Sequence, residues 1–133
     1  MPLIQWSEKY SVNDINIDNQ HKEIIRIINL LYDTQVAGTR EEYMENILNS
    51  LLDYTKYHFK YEEDLMTKRG YVEIDTHKKE HQNLLDSTLN FKRLLKNKNN
   101  IKFIDLMYFL ERWLIYHITE SDKEFSDFLK NKE

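Results

Sequence analysis

Four stretches of the chain place apolar residues three or four positions apart, the spacing that lines one face of an α-helix. The first stripe runs His21, Ile24, Ile28 and Leu31, and the second Met44, Ile47, Leu51, Tyr54, His58, Glu62 and Leu65. The third runs His77, His81, Leu84, Thr88, Phe91 and Leu95; the fourth carries Phe103, Leu106, Leu110, Trp113, Leu114 and His117, then Phe125 and Phe128. Helices are therefore expected over residues 19–37, 40–68, 75–96 and 101–130. The punctuation between them fits. Asp18 is a suitable N-cap for the first helix and Gly38 a stop beyond it, while Thr39 and Glu42 have the spacing of a capping box. Gly70 closes the second helix, Asp75 opens the third, and residues 97–100 form a polar turn before the fourth. Residues 1–17 mix Trp6, Tyr10, Val12, Ile15 and Ile17 with polar residues and show no sustained period, so they are expected to form an extended arm packed on the helices.

Composition supports this reading. Only two Gly and one Pro occur in 133 residues, so little interrupts long helices. That length suits one domain, residues 1–133, with a single core. Short turns between four helices imply an all-α, antiparallel up-down-up-down four-helix bundle. A net charge of −4, with no block of Lys or Arg, argues against nucleic acid as a partner. Cysteine is absent, which excludes disulfides, thiolate metal sites and cysteine catalysis. No apolar run approaches membrane-spanning length and the N-terminus lacks the features of a signal peptide, so a cytoplasmic protein is expected.

The chemistry lies on the inward stripes. All five histidines, His21, His58, His77, His81 and His117, fall on lines that otherwise carry core residues. His58/Glu62 and His77/His81 are i, i+4 pairs, whose side chains sit one above the other on a helix. One such pair is ordinarily a solvated surface feature, and His21 alone would read as a core histidine. In an antiparallel bundle, however, all these positions come to the same end. Glu62 would be costly to bury without a cation or strong hydrogen bonds, whereas Glu63, about 100° round the helix, is expected in an ordinary solvated role. A further carboxylate follows His117. Asp122, five residues on, lies about 140° away on an ideal helix, and Glu120 is better placed unless a π-type turn brings i and i+5 into line. These nitrogen and oxygen donors are too many for one tetrahedral zinc, and two metals are the economical reading. With two six-coordinate metals, bridging carboxylates and a solvent bridge, about one of roughly twelve positions stays open for a small ligand.

The series Asp18-Asn-Gln-His21, His58-Phe-Lys-Tyr-Glu62, His77-Lys-Lys-Glu-His81 and His117-Ile-Thr-Glu-Ser-Asp122 resembles the pattern of the hemerythrin family, in particular its bacterial members. The similarity extends from Trp6 through Phe128, and four motifs in order make it highly specific. The resemblance selects Asp122 over Glu120. It implies a non-haem di-iron centre with an oxo or hydroxo bridge: His77, His81 and His117 on one iron, His21 and His58 on the other, and Glu62 and Asp122 bridging. It also implies that dioxygen binds reversibly at the iron with two histidines, in a pocket lined by Phe59, Trp113, Leu114 and Ile118.

The function so implied is oxygen delivery, storage or buffering, with an oxygen-consuming enzyme as the recipient, and the chain is not expected to be an enzyme. The competing functions are a di-iron redox enzyme acting on peroxide, oxygen or nitric oxide, and an oxygen or redox sensor module. The histidine-rich ligand set favours the carrier, because carboxylate-rich di-iron oxygenases carry Glu-x-x-His pairs instead.

Overall fold

The structure is a computed structural model that describes residues 3–38, 41–96 and 103–131. The described residues contain helices and no strand. The first is α1, Ile15–Val36; α2 spans Glu41–Arg69 and α3 Ile74–Lys96. The fourth rod has three parts: α4, Phe103–Tyr116; a π-helical segment, His117–Asp122; and α5, Lys123–Asn131. Tyr116 and Lys123, which flank the π segment, both keep right-handed helical backbone angles, so the rod is continuous. Contacts run α1 to α2, α2 to α3, α3 to α4 and α4 back to α1. That closed ring, with sequence neighbours adjacent, is the up-down-up-down four-helix bundle.

The expected stripes are the faces that meet. Ile24, Ile28 and Leu31 of α1, Ile47, Leu48 and Leu51 of α2, Leu84 of α3, and Leu106, Met107 and Leu110 of α4 form one buried cluster. Each fully buried aliphatic side chain contributes about 1.5–3 kcal/mol, so this layer holds the rods in register. A second cluster, of Val12, Ile17, Met66, Tyr71 and Phe125, closes one end of the bundle. The site lies where the two clusters approach each other, since Ile17 and Ile24 flank His21 and Phe59 and Met66 flank Glu62.

The starts of two helices differ from expectation. Asp14, not Asp18, caps α1: its carboxylate accepts the Ile17 N–H at 3.0 Å. Asp18 is committed elsewhere, to the Ser11 hydroxyl at 2.6 Å and the Val12 N–H at 2.9 Å. It fastens the arm instead of starting the helix, so residues 15–17 are helical. Asp75 does not cap α3 either. The helix already begins at Ile74, with the His77 N–H bonded to the Glu73 carbonyl at 3.0 Å, and Asp75 sits in its first turn, where its charge suits the helix dipole. Gly38 and Gly70 follow the ends of α1 and α2 with φ of 73° and 69°, the left-handed stops expected of them. The proposed capping box at Thr39 and the turn at 97–100 lie outside the described residues.

The arm is not wholly extended. It contains a 3-10 turn at Glu8–Tyr10 and is tied down at both ends. Asn29 accepts the Ile4 N–H at 2.9 Å and donates to the Ile4 carbonyl at 2.7 Å, while the Ser126 hydroxyl donates to the Val12 carbonyl.

Candidate metal centre

Every histidine on the inward stripes is buried: His21, His58 and His117 are 0% exposed, His81 1% and His77 4%. Glu62 and Asp122 join them at 0% and 1%. The regular turns of α1, α2 and α3 place His21, the His58/Glu62 pair and the His77/His81 pair on facing sides. The π segment does the remaining work. Its wider turn spans His117 to Asp122, so both side chains project into the same interior, which an ideal α-helix would not allow for residues five apart. Glu120 is left exposed on the outer side.

The imidazoles divide into a trio and a pair. Ring centroids of His77, His81 and His117 lie 4.6–5.2 Å apart, and those of His21 and His58 lie 4.7 Å apart. His117 is 6.2 and 6.3 Å from the pair. Both carboxylates reach across this division. Glu62 Oε1 lies 3.1 Å from His58 Nε2 on one side, and 3.2 and 3.3 Å from His117 and His81 on the other. Asp122 lies 2.7 Å from His21 Nε2, and 2.9 Å from both His117 and His77. Two overlapping donor groups result: His21, His58, Glu62, His117 and Asp122, and Glu62, His77, His81, His117 and Asp122.

Electrostatics links the group tightly. Burial alone would push Glu62 up, but the His58 charge and contacts with His117, His58 and His81 hold it well below the usual carboxylate range. Asp122 is likewise held low, because its contacts with His117 and His21 outweigh burial and the repulsion of Glu62. His117 is raised well above an ordinary histidine, against the effect of burial, by Asp122, Glu62 and Glu80. Burial prevails at His21 and lowers it, despite the pull of Asp122.

The donor set fits a metal. His21 Nε2, His58 Nε2, His81 Nε2, Glu62 Oε2 and Asp122 Oδ2 are buried without an aligned hydrogen-bond partner. Leaving a buried polar group unsatisfied costs about 1–3 kcal/mol, and here the unsatisfied atoms converge on one interior point. A cation shared among them would satisfy imidazole and carboxylate lone pairs together, and the same donor types suit iron and other divalent first-row metals.

Several residues around the centre were not singled out by sequence. Gln20 Oε1 lies 2.7 Å from His58 Nδ1, and Glu63 Oε2 lies 2.8 Å from His81 Nδ1. The solvated role expected for Glu63 is thereby corrected: it is only 26% exposed and faces the centre's edge from outside. Glu80 accepts the Ser121 hydroxyl at 2.7 Å and lies 3.7 Å from His117 Nδ1, too far for a hydrogen bond but near enough for charge to act. Glu63, next to Glu62, has the position of an ordinary helix charge, and the one signal for Glu80 is its place beside His81.

An apolar cavity abuts the centre. Its wall includes His58, His117, Phe59, Trp113, Leu114 and Thr88, whose buried hydroxyl has no hydrogen-bond partner. Phe59 stacks on His81 at 3.7 Å, and Trp113 on His117 at 4.6 Å. Of the four pocket residues expected, Phe59, Trp113 and Leu114 line this cavity, while Ile118 is buried in the core and not in that wall.

A family model described as hemerythrin, HHE cation binding domain, matches residues 14–129. The chain belongs to the hemerythrin family. Among its relatives, the bacteriohemerythrin of Methylococcus capsulatus is 34% identical over 124 residues, 92% of this chain and 94% of that protein. A hemerythrin-like protein of Naegleria gruberi is 28% identical, covering 93% of this chain and 92% of its own length. The crystal structure of a wild-type hemerythrin superposes with a TM-score of 0.84 at 31% identity, over 94% of this chain and 96% of the other. No helix among the described residues is long and apolar enough to cross a membrane.

Proposed function

We propose that this hemerythrin-family chain binds dioxygen reversibly at a non-haem di-iron centre, for delivery, storage or buffering, and that it acts as a carrier and not as an enzyme. The observation that carries the reading is the pair of carboxylates, Glu62 and Asp122, common to two overlapping donor groups whose imidazoles fall by ring distance into a trio and a pair, beside an apolar cavity. His77, His81 and His117 would hold one iron, His21 and His58 the other, and Glu62 and Asp122 would span both.

Two irons, when bound, supply reversible electron exchange with dioxygen. The chain's own part is to hold and to exclude. Buried imidazoles outnumber carboxylates five to two in this set, so the donors bring little negative charge, which favours retaining dioxygen over cleaving it. Phe59 and Trp113, stacked on ligand rings, fix His81 and His117 in orientation. With Leu114 they present apolar surface to the cavity, and a dry wall gives protons no path to a bound ligand.

The test is the visible spectrum of the iron-loaded, reduced protein in argon, after air, and after renewed argon, with iron measured on the same sample. The expected result is a charge-transfer band that appears in air and disappears under argon, at two irons per chain. An irreversible ferric spectrum with rapid turnover of peroxide or nitric oxide would favour a redox enzyme, and absence of iron binding would overturn the ligand assignment.

A further inference from the structure

The outer partners of the five histidines are not alike at the two ends of the centre. At the three-histidine end, the distal nitrogen of His81 meets the carboxylate of Glu63 at 2.8 Å, and His117 Nδ1, though without a hydrogen-bond partner, has the Glu80 carboxylate 3.7 Å away. At the two-histidine end, the distal nitrogen of His58 meets the neutral amide oxygen of Gln20 at 2.7 Å, and the distal nitrogen of His21 has no hydrogen-bond partner. Glu80 is itself fixed, because the Ser121 hydroxyl donates to its carboxylate at 2.7 Å and so joins α3 to the π segment.

We propose that Glu63 and Glu80 are positioning residues that make the three-histidine end the tight metal site, and that Gln20 leaves the two-histidine end the weak one. This rests on the reading of the seven donors as a two-metal centre. The physical cause is the charge on the acceptor. With Nε2 given to a metal, Nδ1 carries the proton and donates it outward; a carboxylate acceptor holds that proton more strongly than an amide does and makes the ring a more basic ligand. It also sets a negative charge near the cation. An amide oxygen orients the ring without the charge; Glu80, beyond hydrogen-bond reach of His117, supplies charge alone, and the unpartnered N–H of His21 receives neither. Loss of such an outer partner costs about 10–100-fold in metal affinity. Two carboxylates against one amide thus order the two metals in both affinity and release.

The experiment is metal release from the fully loaded ferrous protein under argon, followed with excess ferrozine. The wild-type chain is expected to release its two irons in two separated phases of equal size. Glu63→Gln, which keeps the side chain's shape, should quicken the slow phase by about 10–100-fold and leave the fast phase in place. Gln20→Glu should do the reverse and slow the fast phase, bringing the two together. Circular dichroism of each variant checks that the bundle is intact, and the reciprocal pair keeps the result independent of any general loosening. Release in one phase from the wild-type chain, or acceleration of both phases by Glu63→Gln, would overturn the proposal. Failure to load two irons would instead overturn the two-metal reading on which it rests.

Discussion

Glu62 touches three imidazoles through one carboxylate oxygen while its other oxygen has no hydrogen-bond partner. If that carboxylate is shared by two metals, its charge matters more than its shape. Glu62→Gln is then expected to keep the bundle folded but to weaken metal binding by more than the about 10–100-fold that an outer partner is worth, as read by iron per chain after dialysis against a chelator. Two irons retained per chain would show that Glu62 does not span the centre. The residue was legible in the sequence because a carboxylate lay on a stripe of core residues between His58 and Leu65. Glu63 was not legible. Its place one position round the helix marks a solvated residue unless the neighbouring helix brings a histidine to it, and only the packing of α3 against α2 reveals that His81 does so.

At the scale of elements, periodicity located each rod, because every helix buries a stripe and the stripes had few breakers between them. Helix starts were less legible, since an Asp can cap a helix or bind a neighbouring segment with the same atoms. Asp14 and Asp18 divide those tasks in a way that depends on where Ser11 and Val12 lie. The π segment was legible only as a condition: His117 and Asp122 could meet if the helix widened, and it does. The arm has an energetic consequence of its own. Asn29 makes two hydrogen bonds to the backbone of Ile4, which is 3% exposed. Asn29→Ala should lower unfolding free energy by about 1–3 kcal/mol, measured by urea titration, and should raise amide exchange in residues 3–12 far more than in α2. Unchanged exchange in the arm would mean that the pair does not hold it.

Over the whole molecule, the buried charges predict responses to pH that part above about pH 6.5, where the metal-free chain weakens and the loaded chain does not. In the metal-free chain, Glu62 and Asp122 sit below their unfolded values, so their contribution is present above about pH 4 and is lost as pH falls through the folded values. His21 is lowered, so it too favours the folded state as pH rises toward about 6.5. His117 is raised, so its contribution is complete below about pH 6.5 and is lost as pH rises through its folded value. The metal-free chain should therefore be most stable near about pH 6.5 and weaken on both sides. Bound metal holds the imidazoles deprotonated and must be displaced by protons, so the loaded chain should gain stability with pH from 5 to 7, by roughly RT ln(1 + [L]/Kd), and keep it to pH 8. Melting temperatures of both forms across pH 5–8 check this. A loaded chain that weakens above pH 7 as the metal-free chain does would contradict it.

Trp113 gives the centre an optical reporter. Its indole lies at 15° to the His117 ring with centroids 4.6 Å apart, whereas Trp6, the other of the two tryptophans, meets Tyr10 at a tilt of 59° with Lys22 above it. An excited indole in face contact with a metal-bound imidazole loses energy by a contact route that a ring elsewhere on the protein lacks. In a Trp6→Phe background, emission should therefore fall as iron enters the three-histidine group and return on chelation. The loading of iron could then be followed with ultraviolet light alone.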